Sequence, residues 1–226
     1  QFCRLAFDLK DNRGDVIRKA SHLLSLKDMN QLDRLEDIID AGATSLKIEG
    51  RLKDAAYVKN VVAAYNQKLN DIIENNQGVY CRSSRGKSEY TFVPNLDKTF
   101  NRGFTHYFLD GRRDDISSFD TPKAMGEYVG YVKEIRRDSF NVAGTAMFAN
   151  GDGLCFFTQD HKLHGFRVNR VENNRLFPLS MPENLKAGMA LYRNNDIVFE
   201  RAMEGKTAER KLDIDMTIGV DCGKIV

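Results

Sequence analysis

The second half of the chain is constrained by a series of short apolar runs separated by glycine-containing turns. The turn at Asn150-Gly151-Asp152-Gly153 is the clearest of these, and further glycines recur at comparable intervals. Short strands at regular spacing with turn residues between them are typical of a small β-barrel or β-sandwich. The runs that we interpret as strands are 128–132, 140–147, 154–158, 166–171, 175–179, 189–193 and 197–202. A further alternating run, 212–220, predicts one more strand in the charged tail.

The first third of the chain has a different pattern, in which helical and strand periodicity alternate. A turn at 12–15 between apolar runs predicts a β-hairpin. Asp28 is in position to begin a helix that Gly42 ends, and a second amphipathic helix begins near Asp54 and ends at 75–78. A short strand at 45–48 lies between the two helices. This order of elements indicates parallel α/β connections.

Residues 45–53 are the most informative stretch of this first third. Leu46 and Ile48 alternate with polar residues, and Glu49 then stands at the end of the predicted strand. Gly50 permits a turn, and Arg51 follows it directly. The carboxyl ends of strands are where α/β folds carry their chemistry, so these charged residues are candidates for a site. The alternative is a structural ion pair at a strand-to-helix turn.

Composition describes an ordinary globular protein, with 42% hydrophobic residues, 29% charged residues and a formal net charge of +2. This charge neither requires nor excludes a nucleic-acid partner. No apolar run approaches the ~20 residues of a membrane span, so we expect no membrane association. The N-terminus has neither an initiator Met nor a signal-peptide pattern, which suggests a piece of a longer protein that works in the cytoplasm.

Known catalytic and metal-binding motifs are not found in this sequence. Cys3, Cys81, Cys155 and Cys222 are far apart and are expected to be reduced thiols. His161 and His164 fit a solvated hairpin loop better than a metal site, which needs more ligands. His106, among aromatic residues, fits a packed, half-buried side chain. We therefore predict no metal site.

Four segments of the first third nevertheless have a distinctive order and spacing. They read SHLLSLKDM at 21–29, IDAGA at 39–43, LKIEGRLK at 46–53 and YVKNVVAAY at 57–65. In these segments the chain resembles peptidase family U32, the collagenase-like peptidases. The rest resembles the extra domain that longer members of this family carry. That second resemblance rests on NRGF within 100–104, GYV at 130–132, NGDGL at 150–154 and LYRN at 191–194.

The resemblance implies an N-terminal barrel of TIM type, most of which this chain lacks. The predicted fold class is therefore α+β, with a partial TIM-barrel-like α/β segment followed by a β-rich small barrel domain. We divide the chain into α/β units at 1–77, a linker at 78–95, a β-barrel at 96–204, and a charged tail or the start of a further domain at 205–226. Open strand edges in the first unit would have to pair with another chain, as in a homodimer or with the missing N-terminal barrel, or pack on the β domain.

The resemblance also bears on cofactors. Cys3-Arg4 resembles the end of a cysteine-rich motif of the family, in which some members hold an iron–sulfur cluster. The upstream cysteines are absent here, and Met29-Asn30 stands where many members have a further Cys. We expect no cofactor in this fragment and a cluster, if any, in the full-length protein.

Two functions are compatible with the family. The first is a peptidase of unknown catalytic type acting on collagen-like substrates. The alternative is an enzyme that hydroxylates RNA without oxygen, with this chain serving as a substrate-binding module. In either case the full-length protein is expected to be an enzyme and this fragment alone to be inactive.

The candidate site residues follow from the resemblance and from charge. Glu49 and Arg51 are the predicted catalytic residues, because Arg51 can bind a carboxylate or phosphate with two hydrogen bonds and Glu49 can position or accept a proton. The predicted contacts to a peptide or RNA substrate are Lys47, Arg102, Arg167 and Arg170. A solvated barrel surface is the alternative for the arginines, since acidic residues are interleaved with them.

Overall fold

The chain forms an α+β protein, as predicted, and a computed structural model describes its residues 1–222 and 224–225. Within these residues no helix is both long and apolar enough to cross a bilayer. The helices are α1 (Leu35–Asp40), α2 (Ala55–Asn75) and α3 (Ile197–Ala202). The strands are β1 (Phe7–Lys10), β2 (Val16–Ser21), β3 (Asp28–Met29), β4 (Lys87–Tyr90), β5 (Phe104–Thr105), β6 (Glu127–Ile135), β7 (Phe140–Ala143), β8 (Gly153–Phe157), β9 (Leu163–Glu172), β10 (Arg175–Pro178), β11 (Ala190–Asn195), β12 (Ala208–Lys211), β13 (Val220–Asp221) and β14 (Lys224–Ile225).

A closed β-barrel forms from strands β6 to β11, in the order β10-β7-β6-β11-β8-β9. Strand β9 pairs with both β8 and β10, which closes the sheet and decides the choice between barrel and sandwich. Alternating side chains point inward and fill the interior. The residues of this core with the least exposure are Val132, Phe140, Val142, Leu154, Phe156, Val168, Leu176 and Leu191.

Two predicted strands near the end of the chain are wrong. Residues 197–202 form helix α3, because the Asp196 carboxylate caps it by accepting the Phe199 N–H at 2.9 Å. Residues 212–219 form no strand, and β13 begins only at Val220. The apolar side chains of residues 212–219 are 60–85% exposed, so neither face of this alternating segment is buried against the protein. The paired strand in this region is β12, which lies beside β4.

The predicted β-hairpin is confirmed in β1 and β2, but the helix predicted from Asp28 is shorter. It begins only at Leu35, which is its one buried residue. Asp28 and Met29 instead form β3, which pairs in parallel with β5. Gly42 has the left-handed φ of +100° expected after the helix.

The second helix is confirmed as predicted. The Asp54 carboxylate accepts the Tyr57 N–H at 2.8 Å and caps α2. On its buried side, the Asn60 amide donates to the Asn95 carbonyl at 2.7 Å and its oxygen accepts the Asn95 N–H at 2.8 Å. Lys59 Nζ donates to the carbonyls of Met203 and Gly205. Side-chain hydrogen bonds thus join α2 to the segments before and after the barrel.

The strand predicted at 45–48 is wrong, because these residues are not paired with any strand of the described chain. Leu46 and Ile48 are 39% and 37% exposed, so no neighbouring layer buries them. The division into the four predicted units stays a prediction. The pairing of β4 with β12 joins the predicted linker to the predicted tail.

A buried guanidinium connects the barrel to the elements around it. Arg193 of β11 is 5% exposed, and its Nη1 donates to the Met147 carbonyl at 2.8 Å. Its Nε donates to Glu127 at 3.1 Å, and Nη1 and Nη2 lie 3.4 Å and 3.2 Å from carboxylate oxygens of Asp152 and Asp196. Asp152 itself is fully buried. Arg193 therefore contacts three carboxylates, and Lys98 binds one of them, Asp196, from the other side of the network.

We predict that Arg193→Met lowers the free energy of unfolding by about 3–5 kcal/mol, because buried carboxylates lose their counter-charge. Chemical denaturation measures this change. The control is Arg136→Met, whose exposed pair with Glu134 should contribute less than about 1 kcal/mol. Equal losses in the two variants would contradict a structural role of the buried network.

The stability of the fold should also fall in acid, because the Asp196 carboxylate becomes protonated. Burial raises the pKa of Asp196, but hydrogen bonds from Lys98 and the Phe199 N–H, with the charge of Arg193, outweigh it and leave the pKa below its ordinary value. Such a group stabilises the fold above the ordinary aspartate pKa of about 4, and this contribution is lost as pH falls through the lowered value. Unfolding measured from pH 6 downward should show a shallower acid decline in Asp196→Asn. An unchanged slope would contradict this.

Candidate functional site

The loop at 45–53 carries three of the predicted site residues on its surface. Lys47 Nζ lies 3.4 Å from a Glu49 oxygen, and their side chains are 87% and 70% exposed. A pair this exposed contributes little to stability, so both groups are available to a ligand. Arg51 is also exposed, and no carboxylate of the described residues lies within 4.0 Å of its guanidinium. Arg51 thus keeps its charge and all its donors free.

The end of this loop is held by a lysine on an aromatic ring. Leu52 has a left-handed φ of +63°, and Lys53 Nζ then lies 2.7 Å from the centroid of Phe100 and 5.4 Å from that of Tyr57. Burial lowers the pKa of Lys53, and the nearby charges of Arg102 and Arg4 act in the same direction against Asp28. The sequence reasoning did not single out Lys53.

Arg102, a predicted substrate contact, is bound to an internal carboxylate. Its Nη2 and Nε donate to the two oxygens of Asp28 at 3.0 Å and 3.1 Å, and its backbone N–H donates to the same carboxylate at 2.8 Å. The two side chains are only 20% and 19% exposed. This bidentate pair fixes β3 beside β5, which explains why Asp28 does not begin a helix. A role of Arg102 in substrate binding stays a prediction.

The other two predicted contacts, Arg167 and Arg170, lie on β9 of the barrel. Arg167 Nε donates to the Gly151 carbonyl at 3.1 Å, which leaves its charge without a counter-ion among the described residues. Arg170 Nη1 bonds Glu172 at 2.6 Å, and its Cζ lies 4.1 Å from the centroid of Phe177. No hydrogen bond or ion pair between described residues joins these arginines to the 45–53 loop.

A feature that sequence reasoning missed lies on the opposite side of the barrel. In β6, Tyr128 and Tyr131 are both exposed, while Val129 and Val132 are buried. Residues three apart in a regular strand point to opposite faces, so this pattern needs an extra residue. The pairing register shifts between Tyr128 and Gly130. Gly130 has a φ of +125°, and a Cβ there would clash with the Ala143 carbonyl oxygen. The glycine between two tyrosines is the signal that could have revealed it.

No group of three His, Cys, Asp or Glu side chains suited to a metal ion is found within residues 1–222 and 224–225. Cys3 is partly buried in a 3-10 turn, and Cys155 is fully buried. Burial raises the pKa of Cys155 to about 12, so its thiol stays protonated. The residues present do not fit an iron–sulfur cluster, which stays a prediction for the full-length protein.

The His106 imidazole lies between two carboxylates. Its Nε2 is 3.0 Å from an Asp33 oxygen and its Nδ1 is 3.1 Å from an Asp110 oxygen.

We predict that Asp28→Asn lowers the free energy of unfolding by about 1–3 kcal/mol, because one acceptor is lost and the Arg102 charge is left partly buried. Glu172→Gln is the matched control, since its pair with Arg170 is about half exposed and should change stability by less than about 1 kcal/mol. Thermal and chemical unfolding would measure both. A neutral Asp28→Asn would show that β3 and β5 pair without this bridge.

Comparison with known proteins shows which proteins this chain is similar to. The chain is 43% identical over 97% of its length to "23S rRNA 5-hydroxycytidine C2501 synthase" of Escherichia coli (strain K12), of which it covers 34%. It is 27% identical over 70% of its length to "tRNA hydroxylation protein P1" of Bacillus subtilis (strain 168), of which it covers 38%. The chain therefore spans about a third of the length of these curated relatives. No solved structure gives a significant match.

The predicted peptidase function is wrong. A match to "Collagenase" of Porphyromonas gingivalis is only 28% identical and includes half of the chain, whereas the relatives that match 70% or more of the chain have names that refer to RNA modification. These findings support the alternative reading. The family resemblance itself is confirmed, because the family profile matches residues 1–118, more than half of the chain. The chain belongs to peptidase family U32.

Proposed function

We propose that this chain is part of an enzyme that hydroxylates a base of RNA, and that it contributes the surface that holds the RNA substrate. The observation that carries the proposal is the 43% identity to the rRNA 5-hydroxycytidine synthase, which extends over 97% of the chain and thus includes the barrel. The E. coli protein's name defines the reaction class, hydroxylation of a pyrimidine. Ribosomal RNA is the substrate class that we favour, and the cytoplasm is where we expect it to be modified.

Arg51 is our leading candidate for a contact to the RNA substrate. It is exposed, it lies next to Gly50 at the end of the loop, and no carboxylate of the described chain neutralises it. A free guanidinium can bind a phosphate with two parallel hydrogen bonds. Glu49 lies two residues before it and would position or accept a proton during the reaction, with Lys47 at 3.4 Å stabilising its charge.

The barrel arginines are proposed to contribute unequally. Arg167 has its charge free, so it is the stronger candidate for a phosphate contact. Arg170 must compete with Glu172, and Arg102 with Asp28, before either can bind a ligand. Since each phosphate contact releases counterions, the contribution of Arg167 should be visible in the salt dependence of RNA binding. An iron–sulfur cluster in the full-length protein and a homodimer stay predictions.

A chimera tests the function directly. This chain would replace the matched third of the E. coli synthase, in cells that lack the native enzyme, and 5-hydroxycytidine in 23S rRNA would be measured by mass spectrometry. We expect the chimera to restore the modification. We expect Arg51→Ala to reduce the rate of modification roughly tenfold to a hundredfold, the range that a lost charge-assisted bidentate contact implies.

The control for this experiment is Arg13→Ala, which removes an exposed arginine from the β1–β2 turn and should leave the modification unchanged. Full activity in both Arg51→Ala and Glu49→Gln would exclude these two residues from the site. A chimera that is folded and abundant but makes no 5-hydroxycytidine would contradict the proposed function.

A further inference from the structure

We propose that the outer barrel face formed by Tyr128, Tyr131 and Tyr192, the tyrosine face, binds unpaired nucleotides of RNA by stacking. This inference rests on the proposed function and deepens it, because it names the part of the RNA that the barrel recognises. Bases in single strands or loops can stack on aromatic rings, whereas bases inside a duplex cannot.

The tyrosine face extends across adjacent strands of the barrel. The ring centroids of Tyr128 and Tyr131 are 5.5 Å apart, and those of Tyr128 and Tyr192 are 5.7 Å apart. Phe157 of β8 continues the row, 6.3 Å from Tyr192. The interplanar angles are 72°, 64° and 80°, so these rings meet edge to face and leave broad ring surfaces for a ligand. Tyr128 is 48% exposed and Tyr131 52%.

The arrangement of the two tyrosines depends on a backbone conformation at Gly130 that only glycine readily adopts. Gly130 has a φ of +125°, and a side chain there would clash with the Ala143 carbonyl oxygen. The resulting bulge turns both tyrosines outward. Without it, one of the two rings would point into the barrel core.

Two members of the tyrosine face, Tyr128 and Tyr131, also line a groove of about 850 Å³. Three apolar side chains line the same groove and are mostly exposed, namely Val93 at 82%, Met147 at 88% and Val198 at 62%. Groove and rings together offer apolar surface to a base and its ribose. The phenol groups add hydrogen-bonding capacity that an aliphatic docking groove for a protein would not need.

The charge around the tyrosine face favours a nucleic acid. Lys133 is exposed two residues after Tyr131, and Lys186 lies in the turn whose Gly188 N–H donates to the Val132 carbonyl at 2.8 Å. Neither lysine has a carboxylate within 4.0 Å among the described residues, although Glu183 is nearby in sequence.

The strand's own carboxylates do not oppose this charge, because Glu127 binds Arg193 and Glu134 binds Arg175. The Tyr128 phenol stays neutral as well. Burial and a hydrogen bond with Tyr131 raise the pKa of Tyr128 to about 12, so no phenolate repels a phosphate near neutral pH.

The tyrosine face is distinct from the basic strand predicted from sequence. In the closed order β10-β7-β6-β11-β8-β9, strand β6 is three positions from β9, which is the far side of a six-stranded barrel. Substitutions on β6 and on β9 therefore test separate surfaces. This separation allows stacking and phosphate binding to be measured independently.

The test measures binding of the whole chain to a fluorescein-labelled oligocytidylate of about six nucleotides, within the usual site size of such surfaces, and to the same sequence in a duplex. We expect the single strand to bind more tightly. Tyr128→Ala with Tyr131→Ala should raise its dissociation constant at least about tenfold, since each lost stacking contact weakens binding by about five- to a hundredfold. With two lysines near phosphates, log affinity should fall with log salt at a slope of about −1.4.

Two control variants test whether any loss of binding is specific to the rings of Tyr128 and Tyr131. Tyr128→Phe with Tyr131→Phe keeps both rings and should bind within about threefold of the original. Tyr107→Ala removes an exposed tyrosine elsewhere and should have no effect. Unfolding curves of each variant show whether the fold is retained.

Equal binding of the single strand before and after loss of both tyrosine rings would overturn the inference. So would a preference for the duplex, or self-association of the chain that the double alanine variant abolishes, since that would make a second copy the occupant. These outcomes are independent of the chimera. A chimera that makes 5-hydroxycytidine while the double variant binds normally would leave the proposed function standing and refute only this inference.

Discussion

The buried guanidinium of Arg193 is the interaction on which the rest of the structure depends. It extends from β11 and binds Glu127 on β6, Asp152 before β8 and Asp196 at the start of α3, where Lys98 adds a second positive charge. Asp152 in turn accepts the N–H groups of Ala149 and Ile197, so its charge orders two loops. Contacts to Arg193 thus join several short elements of the barrel to one another. Desolvating so many charges is costly, and only the complete set compensates for it.

Much of the barrel could be predicted from sequence because its physical rule is local. Strands such as β7 and β10 alternate buried with less buried residues, and several turns of the barrel contain glycine or asparagine. In the middle of strand β9, Val168 is likewise fully buried between the exposed residues Arg167 and Asn169. Helix α2 was equally predictable, since Asp54 caps a long apolar periodicity.

The errors arose where a contact distant in sequence outweighed the local pattern. Asp28 looks like a helix cap until Arg102, 74 residues away, occupies its carboxylate. Residues 45–48 alternate like a strand but have no neighbour to pair with in the described part of the chain, and 197–202 become helical because Asp196 caps them. The site was harder still. Glu49 and Arg51 are candidates that follow from their motif and stay a prediction, whereas the tyrosine face depends on a bulge beside Gly130 that only the pairing register reveals.

The distribution of charge is the reason why we propose stacking, rather than charge, as the source of RNA selectivity. A net charge of +2 provides little long-range attraction, and most arginines of the barrel are engaged by carboxylates: Arg170 by Glu172, and Arg136 and Arg175 by Glu134. A phosphate must displace these partners before it gains a contact, which lowers the benefit of each arginine. Aromatic rings have no such competitor. An enzyme that must reach a single base in a large folded RNA benefits from a surface that binds only where bases are already unpaired.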